Sequence, residues 1–224
     1  MTSRSLIDPT PWDRPTLGID TFEVKVATIE AMAQMRQTPG HYTIRVDPLA
    51  PKRLLHEHGF YYCDTLVEPH CVEKNFVAYR SPDATVTRDV TIDEVMQICH
   101  GAFVHGRFHR DFNIARARAD ARYDRWLAEM HAKGQVYGLQ FRGQLMGFAA
   151  AVGGKLVLHA VAEAHRGRGR SRFLWTALCE ALFAAGEPNI SSSISATNLA
   201  ALNLYARLGF RFHNPVDIYH RVVQ

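Results

Sequence analysis

The sequence predicts an α/β (α+β) protein, with a mixed, mostly antiparallel sheet flanked by helices and preceded by a smaller N-terminal α/β unit. Three observations predict it. Three strand-like runs surround one short helix in the first 80 residues, three more β runs joined by tight turns follow two amphipathic helices, and the final third alternates helix with strand.

The N-terminal unit, residues 1–80, is read from "TFEVKVATI", "HYTIRV" and "FYYCDTLVEP", whose residues alternate or are β-branched. Between the last two lies "PLAPKRLLHEHGF", a short helix closed by Gly59. The Ser, Pro, Asp and Thr of "SPDATVTRDVT" mark a connector, and no internal repeat or low-complexity linker stands out. The second part, residues 84–224, begins with "TIDEVMQICHGAF", where Ile92, Val95, Met96, Cys99, Ala102 and Phe103 fall on one helical face. A second helix, "ARARADARYDRWLAEMHA", carries the stripe Ala119, Tyr123, Trp126, Leu127 and Met130. "QVYGLQF", "LMGFAAAV" and "LVLHAVA", joined by "RGQ" and "GGK", predict an antiparallel meander. Then come an arginine and glycine loop with a helix, a strand "NISSSISA", a helix "NLAALNLYARL" stopped at "GF", and a last strand "DIYHRVV".

Composition bounds the function. At 224 residues and 47% hydrophobic the chain can bury a substantial core. The start, "MTSRSLIDPTPWDRP", has no apolar core of a leader, and the longest apolar run, Leu145 to Val152, is too short to span a bilayer, so a cytoplasmic protein without membrane partners is expected. Cys63, Cys71, Cys99 and Cys179 form no C-x-x-C pair and are expected as reduced thiols. The histidines of "HEH" and the His105/His109 pair lack carboxylate or cysteine company at ligand spacing, so no metal is expected. A net charge of +4 with both signs interspersed gives no nucleic-acid stripe, but suits a small polyanionic ligand.

The segment "HRGRGRSRFLWTALCEAL" decides between those ligands. Gly167 and Gly169 sit between a strand and a helix, where glycine lets main-chain N–H groups crowd toward a ligand. The helix beyond adds unpaired amides and its positive dipole end, so the loop is expected to hold phosphate. A solvated basic loop is the plain alternative. The spacing is not that of a P-loop, and the preceding strand belongs to a meander, which excludes a dinucleotide fold.

Arg166-x-x-Gly169-x-Ser171 resembles the pyrophosphate loop Q/R-x-x-G-x-G/A of the GCN5-related N-acetyltransferase (GNAT) superfamily, with Ser171 at the last small position. Asn198, Ala201, Tyr205, Gly209 and Phe210 resemble the same family's N-x-x-A-x-x-x-Y-x-x-x-G-F segment. More loosely, "WDRPTLGIDTFEVKVA", "LLHEHGFYYCDTLV" and "HGRFHRD…RYDRWL" look like the nucleotide-sugar N-acetyltransferases, notably the TDP-fucosamine acetyltransferases.

The resemblance implies a GNAT fold and direct acetyl transfer from acetyl-CoA, without a metal, to the amine of a nucleotide-linked amino deoxysugar. A peptide or other small amine is the alternative acceptor, a non-catalytic acyl-CoA sensor a third reading, and a homodimer is open. It implies coenzyme contacts at Val161, Arg166, Gly167, Arg168, Gly169, Arg170, Ser171 and Asn198, with Arg172 on the solvent face of its helix. A main-chain N–H of the Val161 strand would stabilise the oxyanion. Tyr205 is implied as general acid. Asp64 is the first candidate for general base, with His159 and Glu163 as alternatives. Arg107 and His109 are candidates for a substrate diphosphate, and Phe108 for stacking on a base or sugar.

Overall fold

The computed structural model describes residues 5–224; the first four residues of the stretch examined for a leader lie outside it. The chain divides into two compact units that alternate along the sequence. The first takes residues through Leu66, then His105–Arg122 and Pro215–Gln224; the second takes Val67–Val104 and Tyr123–Asn214.

The first unit contains β1 (Ile7–Pro9), α1 (Arg14–Leu17), β2 (Thr21–Val24), α2 (Ile29–Met35), β3 (Gly40–Val46) and α3 (Arg53–Glu57). It also holds the start of β4 (Tyr61–Val72), the start of α5 (Arg116–Ala132) and the end of β11 (Arg211–Val223). Its strand order is β1-β2-β3-β11-β4, with β2 and β3 parallel and β11 antiparallel to β3. Helix α2 was not expected, because the β-branched run "VATI" extended the strand signal across its start. Thr28 is in fact its N-cap, accepting from the Ala31 N–H, and Ala31, Met32 and Met35 turn one face into a core with Tyr42, Ile44 and Phe60.

The second unit contains the rest of β4, β5 (Ala84–Thr87), α4 (Ile92–Cys99), the rest of α5, β6 (Val136–Phe141), β7 (Gln144–Val152) and β8 (Lys155–Val161). There follow α6 (Ser171–Ala184), β9 (Asn189–Ser192), β10 (Ile194–Ser195) and α7 (Leu199–Arg207). The strand order is β4-β9-β8-β7-β6-β5, and β10 pairs with β4. The meander is as expected, while the supposed connector supplies β5, which pairs with β6. Alternation along β7 feeds two cores. Ala149 and Ala151 join Leu174, Leu178, Tyr205 and Leu208 of α6 and the α7 segment, whereas Phe148 and Ala150 join Val95 of α4 and Leu127 of α5. Each fully buried leucine contributes roughly 1.5–3 kcal/mol. A capping box between Thr91 and Glu94 starts α4. Among the described residues no helix is long and apolar enough to cross a membrane.

The structure also contains a repeat that the sequence analysis did not find. Parallel strands β2 and β3 joined by α2, then α3, Gly59-Phe60 and β4, match parallel strands β8 and β9 joined by α6, then α7, Gly209-Phe210 and β11. Both glycines have positive φ, +72° and +85°, and end their helices in the same way. The copies differ at the crossover: "KVAT" is short and lacks glycine, while residues 162–170 form a glycine-rich loop.

Candidate active site

Strands β8 and β9 pair in parallel only at Lys155↔Ser191 and Leu156↔Ser192. Beyond Leu156, β8 continues to Val161 while β9 ends and β10 pairs with β4 instead. Among the described residues, one edge of β8 is thereby left without a strand partner from Val157 to Val161. On the other edge the Ala162 N–H donates to the Met146 carbonyl, 2.8 Å. Strand alternation aims the Val161 N–H and C=O away from β7, toward the unpaired edge. Arg166 confirms the direction, its Nε donating to the Val161 carbonyl at 2.8 Å.

The chain then turns through the loop before α6. Gly167 and Gly169 have φ of +71° and +69°, and no atom lies within 4 Å of where a Cβ would stand on either. The loop main chain thus borders open space in a conformation glycine favours. Helix α6 begins at Ser171 behind Arg170, and no side chain caps it, so its first amides and dipole are directed at the same region. An unpaired strand edge leading to a glycine loop and a helix N-terminus fits an elongated ligand ending in a diphosphate. The loop side chains divide their work. Arg168 is exposed, Arg166 is bound to Val161, and the Arg170 guanidinium lies 5.0 Å from the Phe141 ring centroid with Nη1 3.7 Å from Met146 Sδ. Arg172 is not on the solvent face: its guanidinium lies over the rings of Tyr79 and Phe173, a correction explained by cation–π packing.

Tyr205 is fully buried, and its hydroxyl lies 3.0 Å from His159 Nε2. His159 stands on the unpaired stretch of β8, with its ring edge-on to Trp175. Burial raises the Tyr205 phenol above its ordinary value, and burial pushes the His159 imidazole down to about 4. At neutral pH the pair is a protonated phenol beside a neutral imidazole. Asn198 caps α7, its Oδ1 accepting from the Ala201 N–H at 3.2 Å. Glu163 is exposed at the start of the loop.

The expected acceptor-side residues lie in the first unit, and the structure gives them other partners. Asp64 is buried, and its Oδ1 accepts from Arg110 Nη1 at 3.0 Å and from the Thr65 N–H at 2.9 Å. Those bonds hold the carboxylate in place inside the first unit. Phe108 is only 2% exposed, packed with Leu17 and Ala119 and flanked by the guanidinium groups of Arg107 and Arg122. The expectation that it stacks on a base is corrected: "HGRF" turns its ring into a core. His109 Nε2 is paired with Asp120 at 2.9 Å. The exposed aromatic of this segment is Phe112, against Tyr61.

Residues 102–210 match the model of the acetyltransferase (GNAT) family. The fold is that of the GNAT superfamily. A GCN5-related N-acetyltransferase from Sphaerobacter thermophilus is similar over 97% of this chain and 76% of its own, with TM-score 0.63 at 12% identity. A functionally unknown conserved protein from Staphylococcus epidermidis is similar over 95% and 89%, TM-score 0.63, 13% identity. A tandem GNAT protein from the clavulanic acid biosynthesis pathway is similar over 90% and 75%, TM-score 0.53, 12% identity. No curated protein sequence matches the chain. The matched residues 102–210 include β8, the loop before α6 and β9.

Proposed function

We propose that the protein is an acetyl-CoA-dependent N-acetyltransferase that transfers acetyl directly to an amine. The parting of β8 from β9 beside a glycine loop and an uncapped helix N-terminus carries this reading. Acetyl-CoA supplies the acetyl group as a thioester, which leaves a thiol after transfer. The Val161 edge of β8 offers main-chain groups for strand-like pairing with an extended arm. Main-chain amides from Gly167 to Ser171 and the first turn of α6 hold the diphosphate, with Arg168 adding charge. Tyr205 keeps its proton at neutral pH and holds it for the sulfur, while His159 orients the hydroxyl. With His159 engaged there and Asp64 bound to Arg110, exposed Glu163 becomes the first candidate to take the amine proton through water.

For the acceptor, the likeness of the N-terminal segments to nucleotide-sugar enzymes makes a nucleotide-linked amino deoxysugar the first class to test. Arg107, whose guanidinium lies over the Phe108 ring, is the side chain proposed for its diphosphate. A peptide or other small amine is the second class. Thiol release from acetyl-CoA, measured against 3-amino and 4-amino nucleotide deoxysugars, peptides and polyamines, tests both levels. Turnover of the sugar nucleotides alone supports the finer reading, turnover of another amine alone removes it, and binding of acetyl-CoA without turnover of any amine removes the enzyme reading.

A further inference from the structure

We propose that His41, Asp111 and His220 form a binding site for one divalent first-row transition metal ion, zinc by ligand type, which clips the segment around Asp111 onto the sheet of the first unit. The proposal is independent of the acetyltransferase reading.

The two histidines come together through strand register. His41 lies opposite Val222 and His220 opposite Thr43 in the antiparallel β3–β11 pair, so both project from the same face, offset by two residues. Their rings meet edge-on with centroids 4.5 Å apart. Asp111 arrives from the segment between α4 and α5. Its Oδ2 lies 2.9 Å from His41 Nε2 and 2.8 Å from His220 Nδ1, and the ligand atoms of all three residues lie within 4.8 Å of one another. All three residues are at most 2% exposed.

A hydrogen-bonded triad alone gives the same list of contacts, but three features point to a metal. The donors are two imidazole nitrogens and a carboxylate oxygen, which together suit zinc and its neighbours. The carboxylate is braced from behind: Oδ1 accepts from the Tyr61 hydroxyl at 2.9 Å and the Asn113 N–H at 2.8 Å, leaving Oδ2 as the oxygen both imidazoles approach. Outer-shell bonds of this kind fix a ligand's orientation. Finally, His220 turns its Nδ1 to Asp111, and among the described residues its buried Nε2 has no hydrogen-bond partner. A buried carboxylate among an imidazole pair, a phenol and an amide also gains a compensating positive charge when a cation binds.

The geometry requires a small change. Metal–ligand bonds of about 2.0–2.1 Å spread tetrahedrally put ligand atoms about 3.4 Å apart, so the two short contacts open by roughly 0.5 Å as hydrogen bonds give way to metal bonds. A water molecule completes the set, with the Tyr61 hydroxyl, 3.1 Å from Oδ2, kept as an outer-shell donor. A cavity of about 570 Å³ lies beside His41, lined also by Asn113 and Ile114. The clip would join β3, β11 and the segment around Asp111, an arrangement in which metal binding adds directly to folding stability.

The test uses full-length, tag-free protein, stripped with a chelator and dialysed. Zinc added at a hundredfold excess over its Kd should raise Tm by about 5–10 °C. Cobalt(II) should bind at one equivalent with visible bands of a low-coordinate site and be displaced by zinc. Asp111→Asn, which keeps the shape and the possibility of hydrogen bonding, and His220→Gln should each lower zinc affinity at least about tenfold. Should these variants fail to fold, the titrations of the parent protein still decide. Absence of a Tm shift and of cobalt bands in the parent overturns the site, as does one-equivalent binding that persists unchanged in both folded variants.

Discussion

Removing one oxygen from Tyr205 separates its structural role from its chemical one. In Tyr205→Phe the ring remains in its core with Leu208 and Phe210, but the 3.0 Å contact to His159 Nε2 is lost. A buried imidazole nitrogen deprived of its partner costs about 1–3 kcal/mol, readable as a lower urea midpoint with unchanged slope. Loss of the held proton should separately lower kcat about 10²–10⁴-fold, or about 3–5.5 kcal/mol of transition-state stabilisation, while acetyl-CoA affinity stays near the parent's. The double variant Tyr205→Phe/His159→Leu distinguishes the effects: removing the stranded nitrogen should recover part of the stability and none of the turnover. Thiol release under saturating coenzyme measures the rate and calorimetry the affinity. A folded Tyr205→Phe protein with kcat within about a factor of two of the parent would refute the assignment of Tyr205 as proton donor.

Other perturbations follow from the same geometry. Gly169→Val places a β-branched residue at φ +69° in the loop before α6 and should weaken acetyl-CoA binding at least about tenfold by calorimetry, whereas Arg172→Ala should leave affinity near the parent's and cost under about 1 kcal/mol of stability through lost ring contacts. Burial pushes His159 from its ordinary 6.5 down to about 4, so the unfolded chain binds a proton that the native chain refuses. Stability should therefore fall as pH drops from 6.5 to 4, by at most about 3 kcal/mol, and His159→Asn should flatten that part of a urea-unfolding profile. Asp64→Asn breaks a buried carboxylate's bond to partly exposed Arg110 and should lower stability by about 1–3 kcal/mol; unchanged acetyl-CoA affinity is expected, and an undisturbed urea midpoint would contradict the structural role.

What could be read in the sequence was what local pattern encodes. The meander, α4 and α5 rest on period-two and helical spacing, and the glycine loop on its place between a strand and a helix. Short elements escaped because neighbouring signals overlapped: Thr28 reads as the end of a β-branched strand and acts as a helix cap, and β5 lies within a run of turn-forming residues. The burial of Phe108 was hidden for another reason. Whether Phe108 or Phe112 faces solvent depends on how the 105–115 segment is bound by its tertiary partners, which its own residues do not specify. The same limit concealed the His41–Asp111–His220 cluster, whose members lie on two strands and a loop far apart in sequence, so a scan for ligands at short spacing rejects it. The repeat was hidden because its copies share topology and one Gly-Phe corner rather than extended sequence.

The central claim is that the loop before α6 and the open edge of β8 bind acetyl-CoA for transfer to an amine. The most direct test incubates the full-length protein with acetyl-CoA and the amine panel, follows free thiol, and identifies the product by mass. The account predicts thiol release that depends on both protein and acceptor, with one acetyl group gained by the amine, and loss of both signals in Gly169→Val. Thiol release that is independent of every amine, or acetyl-CoA binding undiminished in the folded Gly169→Val protein, would contradict it.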